Sequence, residues 1–376
     1  MKVYLDNAST TKLDDRVLES MNRIKDIYGN PSSIHKYGRI AKCMIEKSRK
    51  KIAEILNIEP SEIFFTSSGS EGNNMAINGI VETFKIKNII TSPIEHHTVL
   101  NPIKNISKKK KINLHFLKIH QNGNINYNNL EKLLKKYNKS MVNIMHINNE
   151  IGNINKIELI GDMCKKYKCI FHSDGVQSLG YYNYNFKKLN IDFLTGSAHK
   201  FHGPKGIGII YINKNKKINP LIYGGLQERN IRSGTENISG IIGISKALEI
   251  SYKNINKNRE YIKKLKYKMI KDLKKFIPNI GFNGNTLDSE NNSYKLLNIN
   301  FSKIIDIKSF LFNLDILNIF ASGGSACASG INKNSHVLSV LKKKSGIRFS
   351  FSKYNTKKEI NYAIKSIIKL CKKKNI

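Results

Sequence analysis

Lys200 stands in the stretch Ser197-Ala198-His199-Lys200-Phe201-His202-Gly203-Pro204-Lys205-Gly206. An amine beside a hydroxyl, an imidazole and a Gly/Pro turn suits a Schiff base to an aldehyde cofactor. Ser197 and His199 would then serve as donors for that cofactor's phosphate. A His-Lys pair alone is a weak signal. Its weight comes from polar residues elsewhere in the chain that suit the rest of such a site.

Ser68-Gly69-Ser70-Glu71 follows the apolar run Ile63-Phe64-Phe65-Thr66 and opens a helical pattern. Backbone N–H groups around Gly69 and Ser70, with the Ser70 hydroxyl, suit a phosphate at a helix N-terminus. An ordinary serine cap fits the same residues. His172-Ser173-Asp174-Gly175-Val176-Gln177 follows another apolar run. Asp174 can pair with a protonated pyridine nitrogen, Val176 can pack on one ring face and Gln177 can donate to a ring oxygen. A helix-capping aspartate is the plain alternative. His96, in Glu95-His96-His97, can stack on the other ring face and move protons, or be a satisfied surface histidine. Asn148-Asn149 offers amides to a ring oxygen or a carboxylate, or forms a turn. Thr235, in Arg232-Ser233-Gly234-Thr235, offers a hydroxyl to a phosphate. Arg348 sits alone in the apolar run Ile347-Arg348-Phe349-Ser350, as a bidentate carboxylate clamp or half of an internal ion pair. Cys327 lies amid the small residues Ala321 to Gly330, where a thiol can swing as a nucleophile or be a harmless loop cysteine.

The elements that must position these groups follow from periodicity. Strands are expected at 2–6, 63–66, 88–91, 114–118, 142–146, 170–173, 193–196 and 208–212. Helices are expected at 38–57, 127–138, 156–168 and 236–254, with one capped by Asp14 and one opening after Ser67. Alternation of this kind implies a mostly parallel sheet covered by helices, with ligands beyond the carboxyl ends of its strands. After residue 255 the pattern changes. A lysine-rich helix at 256–276, a strand at 296–301 and helices at 306–313 and 356–373 read as a smaller α/β domain.

Bulk properties narrow the class. The chain has 376 residues, 40% hydrophobic and 24% charged, as expected of a globular protein with two domains. No apolar run is long enough for a membrane span, and Met1 to Asn7 lacks a signal core, so a cytoplasmic protein is expected. Five scattered cysteines argue against a disulfide framework, and no metal site is expected. The net charge of +36 suggests a polyanion partner, but the lysines are spread along the whole chain. Abundant Lys, Asn and Ile without Trp point to an AT-rich genome, and no specific nucleic-acid motif is present.

In combination the chain resembles the cysteine desulfurases, fold-type-I pyridoxal phosphate (PLP) enzymes of the class V aminotransferase group. The residues carrying this resemblance include Tyr4-Leu5-Asp6-Asn7-Ala8, Asn148-Asn149-Glu150-Ile151-Gly152, Asp174 with Gln177, Ser197-x-His199-Lys200, Arg232-Ser233-Gly234-Thr235, Ser325-Ala326-Cys327 and Arg348-Phe349-Ser350. The long cysteine loop is similar to the housekeeping, iron–sulfur branch. Ser70 replaces the family's usual Thr, Leu226 a usual Gly and Ser352 another.

The resemblance implies an α/β fold: a large domain (15–255) with a mostly parallel seven-stranded sheet, and a small domain (1–14 and 256–376). It implies that Lys200 carries PLP and that His96 stacks on the ring and assists proton transfer. Asp174, Val176 and Gln177 would contact the ring. Gly69, Ser70, Ser197 and His199 would hold the phosphate, with Thr235 reaching from the second subunit of a homodimer. Asn149 and Arg348 would bind the carboxylate of L-cysteine, and Cys327 would take its sulfur as a persulfide. A sulfur-acceptor or iron–sulfur scaffold protein would lie downstream, with tRNA thiolation as a further outlet. Competing readings are a PLP aminotransferase, which has no need of a mobile cysteine, a selenocysteine lyase on the same fold, and a basic nucleic-acid-binding or decayed scaffold protein.

Overall fold

The structure, a computed structural model, describes residues 1–277, 279–301, 306–324, 335–343 and 345–373. Its strands are β1 (Val3–Tyr4), β2 (Ile63–Thr66), β3 (Asn88–Thr91), β4 (Asn113–Phe116), β5 (Met141–Asn143), β6 (Ile170–Asp174), β7 (Phe193–Ser197), β8 (Gly208–Ile212), β9 (Ile280–Phe282), β10 (Leu296–Phe301), β11 (Ile319–Phe320) and β12 (Ile347–Ser350). Its first six helices are α1 (Asp15–Asn22), α2 (Lys36–Leu56), α3 (Gly69–Phe84), α4 (His97–Lys110), α5 (Tyr127–Lys136) and α6 (Ile157–Lys166). The rest are α7 (Phe186–Leu189), α8 (Ile238–Lys253), α9 (Ile255–Phe276), α10 (Ile307–Ile316), α11 (His336–Val340) and α12 (Lys357–Lys373).

Seven strands form the main sheet in the order β2-β8-β7-β6-β5-β3-β4. Only β8 runs against its neighbours, so the carboxyl ends of the other six share one edge. Strands β5 to β8 are buried along their whole length, as a sheet covered on both faces requires. On one face, α3 and α4 bury Ile80, Val99 and Ile103 against Phe193 and Ile210. On the other, α5, α6 and α8 bury Leu134, Ile160 and Leu248 against Val142 and Leu194. Gly69 and Gly72 let α3 close on the strand ends. A Cβ on Gly69 would come 2.6 Å from Val176, and one on Gly72 2.7 Å from Thr195.

A second, antiparallel sheet has the order β12-β10-β9. The N-terminal strand joins this half of the molecule, since β1 pairs in parallel with β11 and Asp6 bridges Ser350. The segment after β1 then crosses to the main sheet, where Thr11 donates its N–H to the His199 carbonyl at 2.9 Å. Residues 6 to 11 are thus wedged between the two sheets.

Most expected elements form close to their expected bounds. The reading missed α4, whose apolar spacing at Val99, Ile103 and Ile106 is interrupted by Pro102 and ends in a lysine run. It also missed β9 and α11, which are three and five residues long and too short to show a period. The turn after Leu226 is unusual: Glu228, Arg229 and Asn230 all have positive φ. Glu228 is held there by a buried ion pair to Arg49 (2.8 Å) and by the Phe65 N–H, which offset the backbone strain.

Candidate active site

At the shared edge of strand ends lies a cavity of about 210 Å³. It gathers Gly69, Ser70, His96, Asn149, Asp174, Val176, Gln177, Ser197, His199, Lys200 and Arg348, residues drawn from both sheets. Thr235 is exposed and does not line this cavity. Cys327 lies outside the described residues.

Asp174 ends β6 at the bottom of the cavity and is buried. One carboxylate oxygen accepts the Val176 N–H at 2.9 Å, and the other accepts the Asn73 amide at 2.8 Å. Burial raises its pKa, while these donors and the nearby Lys200 charge oppose the rise. A carboxylate kept this way at the base of a cavity is ready for a cationic partner. Asp174 thus caps the turn that follows with one oxygen, while Asn73 reaches the other from α3.

Lys200 sits in the short turn after β7. Its Nζ donates to the carbonyls of Ala8 (2.8 Å) and Ser9 (2.7 Å), and its own carbonyl accepts the Tyr181 hydroxyl at 2.9 Å. The amine is therefore parked on the N-terminal crossing segment.

His96 caps α4: its Nδ1 accepts the Thr98 N–H at 3.2 Å and lies 2.8 Å from the Thr98 hydroxyl. Burial, then the charge of Lys200, lowers its pKa to about 4. The imidazole is neutral at physiological pH, so it can accept a proton. His199 is likewise lowered to about 4 by burial and Lys200, and its Nδ1 lies 3.1 Å from the Thr10 hydroxyl. Its neutral ring presents Nε2 for an anion. At the start of α3, Ser68 is the cap, accepting the Glu71 N–H at 3.2 Å, and this leaves Ser70 at the cavity. Both the capping and the phosphate readings of that motif therefore have a residue each.

Arg348 on β12 is the largest fully buried side chain. It donates to the Asn149 carbonyl (2.8 Å), to Asp6 (2.9 Å) and to the Ser9 hydroxyl (2.7 Å). It is thus an internal ion pair and a cavity residue at once. Its Nε is buried with no hydrogen-bond partner among the described residues. Gln177 lines the cavity with its amide turned to the N-terminal segment. Its amide nitrogen donates to the Ala8 carbonyl at 2.9 Å, and its buried oxygen has no hydrogen-bond partner among the described residues. The Ala8 carbonyl thus accepts from both Gln177 and Lys200.

These residues fit PLP. The carboxylate at the base suits a pyridinium, the unpaired Arg348 and Gln177 atoms lack polar partners, and neutral His199 with the α3 N-terminus suits a phosphate. Asn73, Thr98 and Ser9 escaped sequence reasoning. Their only signal was proximity to quoted motifs. Beside the site, Glu150 accepts the Ser335 hydroxyl and His336 meets the Glu95 carbonyl at 2.9 Å. Among the described residues, no helix is long and apolar enough to cross a membrane.

The model of the family Aminotransferase class-V matches residues 3–362. "Cysteine desulfurase IscS" of Dictyoglomus turgidum is 40% identical, covering 99% of this chain and 95% of that protein. "Putative cysteine desulfurase IscS 1" of Bacillus subtilis is 35% identical, covering 99% of both. The solved structure "NIFS-LIKE PROTEIN" superposes with a TM-score of 0.91 at 36% identity, covering 99% of this chain and 100% of its own. "SspA in complex with cysteine" superposes at 0.81 and 31% identity, covering 94% and 100%. With lysine, aspartate and arginine brought to one cavity on this fold, the chain belongs to the class V aminotransferases and, among them, to the PLP-dependent cysteine desulfurases.

Proposed function

We propose that this enzyme converts L-cysteine to L-alanine and passes the sulfur on as a persulfide of Cys327. The observation that carries the reading is the convergence of Lys200, Asp174, His96 and Arg348 on one cavity from two sheets. PLP bound there supplies an electron sink for charge developing at the substrate Cα. Lys200 would hold the cofactor's aldehyde carbon, Asp174 its ring nitrogen, and Ser70, Ser197 and His199 its phosphate.

The protein's own groups divide the remaining work. Arg348 and Asn149 orient the substrate carboxylate, which fixes the sulfur relative to Cys327. The Lys200 amine removes the Cα proton, and neutral His96 assists transfer. A Cys327 thiolate attacks the substrate sulfur. The S–S bond forms, the Cβ–S bond breaks, and the electron pair left on carbon takes up a proton to give alanine.

The reading extends to a homodimer in which Thr235 completes the partner's phosphate site. Its support is the exposure of Thr235 near a run of exposed apolar side chains, Tyr223 and Leu226, with Tyr28 and Ile34 exposed elsewhere on the chain. It also includes a cytoplasmic setting, an acceptor or iron–sulfur scaffold protein, and the domain division 15–255 against 1–14 with 256–376. The test is an assay of alanine and sulfide from L-cysteine under reductant, beside Cys327→Ser. Turnover lost in the variant supports the reading. Sulfide release that survives it points to a lyase that does not use Cys327.

A further inference from the structure

Among the described residues two lysines are completely buried, and they are treated differently. Lys266 on α9 is 1% exposed, and its Nζ donates to Asn292 (2.7 Å) and to the Ser293 carbonyl (2.8 Å). Lys295, just before β10, is 0% exposed, and its Nζ has no hydrogen-bond partner among the described residues. The amine lies instead 3.5 Å from the centre of the Tyr181 ring. Tyr181 donates its hydroxyl to the Lys200 carbonyl at 2.9 Å and is itself held by the Tyr294 hydroxyl at 2.9 Å. Lys295 is therefore one aromatic ring behind the residue proposed to carry the cofactor.

A buried amine without an acceptor is costly, and an aromatic face offsets only part of that cost. The groups that interact with it electrically add to the burden. Lys200 and Arg348 are both cationic, His202 is a neutral imidazole lowered to about 4, and Tyr181 and Tyr294 are phenols held un-ionised by burial. Burial pushes Lys295 well below the usual lysine range, and the Lys200 and Arg348 charges push it further. The last two causes depend on what fills the cavity. A phosphate brings close to two negative charges and an amino-acid carboxylate brings one. Either would neutralise the positive field that Lys200 and Arg348 impose on Lys295.

We propose that Lys295 is a buried charge compensator whose amine takes up a proton when anionic cofactor and substrate occupy the cleft. The proposal rests on the PLP reading of the cavity. It makes occupancy and protonation linked quantities: a site that binds a proton along with its anion holds that anion less tightly as pH rises. It also accounts for an unpaired amine at a place where an apolar residue would be more stabilising.

The test is calorimetric titration of apoenzyme with pyridoxal phosphate in buffers of different ionisation enthalpy, which counts the protons taken up. Wild type is compared with Lys295→Met, with Lys295→Gln as a second variant should the first not fold, and with Lys266→Met as a control. We expect wild type and Lys266→Met to take up roughly half a proton more than Lys295→Met near pH 8, and their affinity to fall more steeply with pH. Unliganded Lys295→Met should also melt higher, since it removes the unpaired amine. Equal proton counts in wild type and Lys295→Met would overturn the proposal. Failure of wild type to develop a visible absorbance band would instead overturn the cofactor reading beneath it.

Discussion

The two walls of the cleft are built by different means. The wall on the main sheet uses the carboxyl ends of strands and the starts of helices. Asp174 ends β6, Lys200 follows β7, His96 caps α4 and Ser70 opens α3. Asp174 and His96 each have a backbone partner two residues on, Val176 and Thr98, and Asp174 and Lys200 take further partners from elsewhere in the chain, Asn73 and the Ala8 and Ser9 carbonyls. The opposite wall uses contacts between distant parts of the chain. Arg348 is fixed by Asp6 across 342 positions and by Asn149 across 199. The difference suggests a division of labour: the first wall is a rigid cradle for a resident group, and the second a clamp for a substrate that comes and goes.

Breaking the first wall should have the largest effect. Lys200→Ala should abolish turnover and the visible absorbance of bound PLP together, as read by spectrum and alanine release. Breaking the second wall should leave that absorbance intact. Arg348→Met should raise the KM for L-cysteine by about a hundredfold, since loss of a buried charged hydrogen-bond partner costs 2–5 kcal/mol. A variant that lost the absorbance band instead would erase the distinction between cradle and clamp.

A finer test of the cradle is Asn73→Ala. It removes one of the two donors on the buried Asp174 carboxylate, which should cut kcat about tenfold with little change in KM. A last prediction concerns acid stability and does not separate the two walls. His96 and His199 are lowered to about 4, and His146 and His172 to about 3, all chiefly by burial. Below about pH 6.5 the unfolded chain protonates these rings while the folded chain does not. Stability should therefore fall as pH drops from 6.5 towards 4, and be unaffected by these groups above 7. Thermal melts across pH 4 to 8 check the sign.

The same contrast explains what the sequence could reveal. The cradle was the more legible wall because a strand followed by a polar turn is a local pattern: it singled out Asp174, Lys200, His96 and Ser70 as candidates, and only their combination told them from ordinary caps and turns. The clamp was only half legible. Arg348 was conspicuous in an apolar strand, but its partner Asp6 and the wedge of Ala8 and Ser9 under Lys200 depend on where the N-terminus crosses between sheets. Asn73 was hidden for a similar reason, since nothing within α3 marks an asparagine that reaches β6. The contact of Gln177 with the Ala8 carbonyl was hidden for the same reason, since Ala8 belongs to that crossing segment. Helix α4 was obscured by Pro102 even though its start carries His96.

The central claim is that Lys200 is the one lysine, among many, that carries the cofactor. Borohydride reduction of the PLP-loaded protein, followed by peptide mass mapping, tests it directly. The account predicts a single pyridoxyl adduct, on Lys200. An adduct confined to another lysine, or none in a protein that shows the visible band, would contradict it.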